Sequence, residues 1–442
     1  MPEYTQLLSS PRLEEKFSPK PSLNPKQAWI EASRCLYCYD APCIQACATG
    51  INIPEFIRKI ASHNLKGAAK TILRSNILGY SCAKVCPVEV MCEGACVYNH
   101  SQEPPVAIAM LQEYATKAAL ENNWRFFYPA PPKHKKVAVI GSGPAGLACA
   151  HELARRGYET VVFEGRTLPG GLNTTGVAPY KLSVEQSLRE VEYVQKIGFE
   201  IRTGVWVGKD VSYEELDREF HAIFLAVGLG LDRKLGIPGE NAQGCVGALQ
   251  TIEEIRTKSG FQLNSHRRCV VVGGGNTSLD IARELKKLGV EQVALIYRRR
   301  TQDMPGYRHE LEAALKEGVV FYPNTQPLEI LSQNGKVRAI RCVQTKLENG
   351  QIHPLEGTEF EIPADHVYIA IGQPPLVEFL RTIPQLRLRE NHTVEVNEYF
   401  QSSNPKVFAG GDCINGGKEV VNAVQHGRDA AGFIDAYLEG KL

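Results

Sequence analysis

VAVIGSGPAGLACAHELARRGYETVVFEGR, residues 137–166, decides the fold. Val137–Ile140 is a short apolar run of the kind that forms a strand buried on both faces. Gly141, Gly143 and Gly146 follow as G-x-G-x-x-G, with Pro144 and Ala145 opening a helix. The first glycine permits the tight turn, the second lets backbone approach a pyrophosphate, and the third lets helix pack on strand. The helix start offers free N–H groups to phosphate oxygens. A second strand, TVVFE, ends in Glu164, placed to accept a ribose hydroxyl. A lone glycine triplet is weak evidence. Strand, triplet, helix, strand and acid in register make a dinucleotide-binding unit.

The unit recurs as CVVVGGGNTSLDIARELKKLGVEQVALIYRRR, residues 269–300. Gly273, Gly274 and Gly275 form the turn, Asn276 and Thr277 open the helix, and Ser278 takes the third glycine place. The second strand ends not in an acid but in Arg298, Arg299 and Arg300. Arginine pairs with phosphate where an acid would repel it, so this end favours NADP(H) over NAD(H). The bland alternative is a solvated basic strand end.

Three further stretches support a flavin fold receiving electrons from a nicotinamide. LPGGL supplies Gly170, Gly171 and Leu172 after the first acid. FLAVG (224–228) and VYIAIGQ (367–373) are apolar strands ending in glycine, expected where the chain leaves the first unit and returns. VFAGGDCINGG places Gly410, Gly411 and Asp412 at a strand end, and a helix beginning near Val420 and Val421 points its positive end toward a flavin.

Upstream, eight of the thirteen cysteines bunch in RCLYCYDAPCIQAC and CAKVCPVEVMCEGACVY: Cys35, Cys38, Cys43, Cys47, Cys82, Cys86, Cys92 and Cys96. Structural zinc usually takes two paired knuckles. Four cysteines in one run followed by a second run favours iron–sulfur ligation. A disulfide framework fits poorly with an odd cysteine count and no secretory signal. Around the runs, Pro25–Arg34, residues 53–76 with Gly67 as a break, and residues 106–123 read as helices. Residues 1–24 read as a polar arm with little to bury. Metal is expected to supply much of this small region's folding free energy. PAPPKHKK, residues 129–136, reads as a linker.

With 50 basic and 49 acidic residues in 442, the net charge of +1 gives no reason to expect nucleic acid. No apolar run suits a bilayer, so cytoplasmic localisation is the default. Outside the two runs, Cys149, Cys245, Cys269, Cys342 and Cys413 supply no C-x-x-C dithiol for a disulfide reductase.

EASRCLYCYDAPC, VCPVEVMCEGAC, GSGPAGLACA, GGGNTSLD and VFAGGD together resemble the flavin- and iron–sulfur-containing small subunit of bacterial NAD(P)-dependent dihydropyrimidine dehydrogenase. That subunit is similar to the small subunit of NADPH-dependent glutamate synthase. IAMLQEYATKA, around Gln112, favours the former. The resemblance implies an α/β fold: a helical N-terminal iron–sulfur domain, then two Rossmann-like, glutathione-reductase-like domains, the second inserted in the first. The expected boundaries are 1–134 for the helical domain, 135–235 with 366–442 for FAD, and 236–365 for NAD(P)H. It implies one [4Fe-4S] cluster on Cys35, Cys38, Cys43 and Cys96, and another on Cys47, Cys86, Cys92 and the Gln112 side chain, with Cys82 a bystander. Counting thiols alone leaves Cys82 as a rival for that place. Ala48, where the family has proline, and Gly165, where lysine is common, depart from the pattern. The implied role is electron input from NAD(P)H through FAD and the clusters to a separate FMN-containing catalytic subunit that reduces uracil or thymine. The alternatives are a glutamate synthase small subunit and a zinc-stapled nucleotide-binding scaffold.

Overall fold

A computed structural model describes residues 4–18, 20–263 and 267–442. The N-terminal region is helical. The Pro25–Ser33 helix starts on a capping box in which Asn24 accepts from the Gln27 N–H and the Gln27 side chain accepts from Asn24. Helices follow at Ile53–Ala61, Leu65–Ser75, Gly79–Val85 and Ile108–Glu121. The break expected at Gly67 falls earlier, over residues 62–64. Asn64 caps the Gly67 N–H, so this glycine sits inside the first turn of the Leu65 helix.

The first fingerprint then unfolds along the chain as β1 (Lys136–Ile140), the Pro144–Arg155 helix, β2 (Glu159–Glu164), the Val184–Gln195 helix, β3 (Glu200–Thr203) and β4 (Ala222–Leu225). The second comprises β5 (Cys245–Gly247), β6 (Arg268–Val272), the Asn276–Lys287 helix, β7 (Gln292–Ile296), the Arg308–Lys316 helix and β8 (Val320–Tyr322). An antiparallel sheet of β9 (Thr325–Gln333), β10 (Lys336–Glu348), β11 (Gln351–Pro354) and β12 (Phe360–Pro363) extends it. After β13 (His366–Ile369), the chain returns through β14 (Val407–Ala409) to the long Val420–Leu438 helix.

The first sheet has the order β14-β4-β1-β2-β3 and the second β5-β13-β6-β7-β8, both parallel throughout. The second unit is therefore inserted in the first. One boundary moves: β13 pairs with β5 and β6, so His366–Ile369 belongs to the second sheet and the return crossover begins after Ile369, not at 366.

The arm expected to bury little is docked. Residues 1–3 and 19 lie outside the described residues, but Tyr4 is buried and its hydroxyl donates to Gln195. Glu14 is buried too and accepts from the Val184 N–H. Nor does the helical region have a core of its own. Phe56, Ile72, Leu78 and Leu111 belong to one buried cluster with Val137, Leu147, Leu153 and Phe224 of the first Rossmann unit. That shared apolar burial contributes alongside any metal to holding the region folded.

Candidate functional site

The first fingerprint turn is held by what its glycines lack. A Cβ on Gly141, whose φ is +102°, would stand 2.3 Å from the Ala226 carbonyl oxygen, and one on Gly146 would stand 2.0 Å from the Gly141 oxygen. The turn, the acid and LPGGL converge on Ser142, a fully buried residue that the motif leaves unspecified. Its N–H and Oγ donate to Glu164 Oε2 at 3.0 and 2.6 Å, and Oγ accepts from the Gly170 N–H at 3.0 Å. The Arg166 N–H holds the other Glu164 oxygen at 2.9 Å. Gly171 closes on Gly143: a Cβ on Gly171 would lie 2.7 Å from the Gly143 Cα. Gly410 donates to the Leu225 carbonyl at the end of β4, and Gly411 faces Ala145 at the start of the fingerprint helix. Thus Gly141, Gly143, Pro144, Ala145, Gly146, Glu164, Gly170, Gly171, Gly410 and Gly411 are brought together. Asp412 follows directly, its carboxylate accepting from the Lys418 N–H, and Leu172 stays partly exposed.

The donor set fits FAD. In front of Gly143 a Cβ would meet nothing nearer than the Gly171 Cα at 3.9 Å, which leaves the space a pyrophosphate needs. Asn173 Oδ1, just beyond Gly171, is buried without a hydrogen-bond partner. The Val420 helix begins with no side chain capping it.

In the second unit, a Cβ on Gly275 would meet nothing within 4 Å, so the turn is likewise open, whereas Gly274 lies against the Tyr297 ring. Ser278 is fully buried and its hydroxyl donates to the Gly275 carbonyl at 2.6 Å, so the larger residue is absorbed by a hydrogen bond. Arg300 pairs with Asp303, while among the described residues the exposed Arg298 and Arg299 have no carboxylate within ion-pair distance, Arg299 donating to the Tyr297 hydroxyl near Asp303. The exposed basic end thus keeps two guanidinium groups for an anion, which fits a phosphorylated nicotinamide nucleotide.

The cysteines ring two cavities. Cys35, Cys38, Cys43 and Cys96 line one, with Ile53, Ile57 and Ile108 behind them. Cys47, Cys82, Cys86, Cys92 and Gln112 line the other, together with Val421 of the Val420–Leu438 helix. Burial, then the Cys35 and Cys96 thiols, pushes Cys43 up to about 11. A hydrogen bond with Cys82, burial, and the nearby Cys92 and Cys47 hold Cys86 well above its ordinary range. Thiols crowded this way favour the neutral form until a cation supplies the opposing charge, as iron would. Among the described residues no group of three His, Cys, Asp or Glu side chains is arranged to hold a single metal ion. Cys82 stands inside the second ring and is not displaced from it. Gln112 uses its amide nitrogen on the Gly79 carbonyl at 2.7 Å, leaving Oε1 as its remaining polar atom.

Sequence reasoning missed the ties that fix these cavities to the nucleotide units. Glu190, from the Val184 helix, accepts from the Tyr80 and Ser81 N–H groups at 2.8 and 3.0 Å and from the Ser81 hydroxyl, at the start of the helix carrying Cys82. Burial pushes this carboxyl up to about 7. Arg428, in the Val420 helix, donates to the Thr49 and Ser75 carbonyls at 2.8 and 3.0 Å. Between the units, Lys181 bridges Asp280 and Glu310 at 2.7 and 2.8 Å, and the Tyr180 hydroxyl donates to Asp280. None follows a local motif. Each joins residues about a hundred or more apart, so only packing could reveal it.

Two family profiles match: "Pyridine nucleotide-disulphide oxidoreductase" over residues 135–427, and "Dihydroprymidine dehydrogenase domain II, 4Fe-4S cluster" over residues 14–124. The chain belongs to the pyridine nucleotide-disulphide oxidoreductase family. Within it, the chain is 36% identical over 438 residues to the glutamate synthase [NADPH] small chain of Halomonas elongata, covering 94% of this chain and 92% of that one. It is 32% identical over 421 residues to the NAD-dependent dihydropyrimidine dehydrogenase subunit PreT of Escherichia coli O157:H7, covering 95% and 96%. The solved structure of Mycobacterium tuberculosis FprA in complex with NADPH superposes with a TM-score of 0.58 at 22% identity, over 70% of this chain and 85% of that one, a likeness of fold. This family member is an electron-transfer oxidoreductase subunit that uses FAD, [4Fe-4S] iron–sulfur and NAD(P). Among the described residues no helix is long and apolar enough to cross a membrane.

Proposed function

We propose that this subunit takes electrons from NADPH and delivers them, one at a time, to a separate FMN-containing subunit that reduces uracil or thymine to the 5,6-dihydropyrimidine. The observation that carries the reading is Val421. It sits at the start of the helix expected to face the flavin and also lines the cavity of Cys47, Cys86, Cys92 and Gln112, which supports a route from the flavin site to that thiol ring. Bound FAD supplies acceptance of an electron pair and its release singly, and two [4Fe-4S] clusters supply single-electron conduction.

The chain's residues hold and orient. Gly143 and the Pro144 helix start cradle the flavin pyrophosphate, and Glu164 accepts a ribose hydroxyl. Gly275, Asn276 and Thr277 cradle the nicotinamide nucleotide, and Arg298 and Arg299 take its 2′-phosphate. Cys35, Cys38, Cys43 and Cys96 hold one cluster. Cys47, Cys86, Cys92 and Gln112 Oε1 hold the second, with Cys82 hydrogen-bonded beside Cys86. The pyrimidine assignment rests on Gln112 in this ring. The pyrimidine chemistry itself is assigned to the partner.

The second reading, a glutamate synthase small subunit, is favoured by the 36% identity to the Halomonas elongata chain. Anaerobically purified protein is expected to be brown, to release acid-labile sulfide, and to reduce dyes with NADPH. It should leave uracil untouched until an FMN subunit is added. Uracil reduction by the chain alone would overturn the division of labour. Coupling to a glutamine-hydrolysing large subunit, with no response to the FMN subunit, would select the second reading.

A further inference from the structure

We infer that Tyr307 is a positioning residue for electron entry, tying the glycine turn of the nicotinamide unit directly to the helix that faces the flavin. The tie has two ends. At one, the Tyr307 N–H donates to Asn276 Oδ1 at 3.0 Å, and the preceding Gly306 N–H donates to the Gly274 carbonyl at 2.8 Å. A Cβ on Gly306 would lie 2.9 Å from that same carbonyl oxygen, so the loop is seated closely on the pyrophosphate turn. At the other end, the Tyr307 hydroxyl donates to Glu419 Oε1 at 2.5 Å.

Glu419 is the residue immediately before Val420. Its side chain does not cap its own helix; it serves Tyr307 instead. One residue, through its backbone N–H and its hydroxyl, thus joins the start of the Asn276 helix to the start of the Val420 helix, although the two belong to different sheets. The ring also stacks on His309, with centroids 5.8 Å apart and planes 9° from parallel. His309 Nε2 in turn stands 3.8 Å from Glu89, between Cys86 and Cys92 of the second thiol ring. Burial, then the Glu419 carboxylate, keeps the phenol protonated well above its ordinary range, so the hydroxyl stays a donor.

The physical need for such a tie is plain. Domains within a chain move relative to one another unless their interface is large and apolar. Transfer between two bound groups falls steeply when their placement loosens. The other interdomain contacts described, Lys181 with Asp280 and Glu310 and Tyr180 with Asp280, grip the flanks of the nicotinamide unit's helices. Tyr307 instead spans the two helix starts that address the two nucleotides. A charge-assisted hydrogen bond is among the stronger polar contacts, so deleting its hydroxyl should be felt at both ends.

The inference rests on the NAD(P) and FAD units and on neither the partner nor the nucleotide preference proposed above. The test uses the holoprotein carrying Tyr307→Phe, Glu419→Ala, Glu419→Gln, or the first two together. In anaerobic stopped-flow mixing with NADPH and with NADH, Tyr307→Phe and Glu419→Ala should each slow flavin bleaching at saturating nucleotide about tenfold, with nucleotide Kd within about twofold. The double variant should be no slower than either single, because the two act as one contact. Glu419→Gln keeps an acceptor oxygen and should recover most of the rate. Independently of turnover, amide exchange should rise about tenfold at both Gly273–Ser278 and Glu419–Val421, and not at Gly141–Gly146. Unchanged exchange, exchange rising everywhere alike, multiplicative rate losses, or a change in Kd alone would each overturn the inference. Should Tyr307→Phe fail to fold, Glu419→Ala carries the same tests.

Discussion

The two Rossmann units begin alike and finish differently. Both open with a buried parallel strand and a glycine turn whose second fingerprint glycine, Gly143 or Gly275, faces open space. In the first, the third fingerprint place is Gly146, and the second strand ends on Glu164, pinned by Ser142 and the Arg166 N–H. In the second, that place is Ser278, and the strand runs out into Arg298 and Arg299 with no carboxylate within ion-pair distance among the described residues. The shared part is what any dinucleotide requires, since a pyrophosphate needs bare backbone and a helix start. The divergent part is where the proposed ligands differ, because a carboxylate accepts a ribose hydroxyl and repels a phosphate.

The largest break in this comparison should come at the third fingerprint place. Gly146→Val would put a branched side chain where even a Cβ comes within 2.0 Å of the Gly141 oxygen, a backbone atom with nowhere to go. A cost of about 3 kcal/mol or more is expected, with flavin lost from the purified protein. Ser278→Ala in the other unit removes one hydrogen bond and should cost about 1 kcal/mol. Flavin absorbance per polypeptide and thermal midpoints check both. Equal damage from the two changes would mean that the third place is not what distinguishes the units.

Next in size is the strand end. Arg298→Ala with Arg299→Ala should weaken NADPH by about 100-fold, since two charge-assisted contacts to one phosphate are removed, and leave NADH within about threefold. The measurement is kcat/KM for dye reduction with each nucleotide. Equal loss with both would remove the 2′-phosphate assignment and reduce the arginines to a solvated strand end.

These differences were legible because they are local. The turn, the acid and the arginines lie within thirty-odd residues of their own glycines, and the cysteine runs announce themselves by spacing. What the chain could not announce were contacts fixed only by packing. Ser142 joins Glu164 to Gly170, and Glu190 caps the helix carrying Cys82, but neither residue type nor spacing marks them. The N-terminal arm reads as having little to bury because it is polar and punctuated by prolines, yet Tyr4, Leu8 and Leu13 each pack against a core built elsewhere. The boundary at 366 slipped because an apolar strand ending in glycine looks the same whichever sheet receives it. Gly67 misled because Asn64, three residues earlier, outweighs it as a helix signal.

A further comparison concerns the covering of the two fingerprint helices. Five residues beyond Gly146 stands His151; five beyond Ser278 stands Arg283. Arg283 keeps its charge by pairing with Glu310 and Glu317. His151 is buried edge-on to Phe127, ring centroids 5.5 Å apart, and burial lowers its pKa from the usual 6.5 to about 4. The folded state therefore refuses a proton that the unfolded chain accepts below pH 6.5. The stability this represents is complete above pH 6.5 and declines as pH falls toward 4, below which the loss levels off. At pH 5 the difference amounts to about 2 kcal/mol, taking 1.36 kcal/mol per pH unit over the interval from 6.5 to 5. His151→Gln should lose about that much less stability than the parent between pH 8 and pH 5 in urea melts, whatever its stability at pH 8. Arg283→Gln should lower stability without flattening that slope, because a guanidinium does not titrate here. Parallel slopes for the His151 variant and the parent would show that the first helix is not sealed under the cysteine-bearing region as the packing of Phe127 implies.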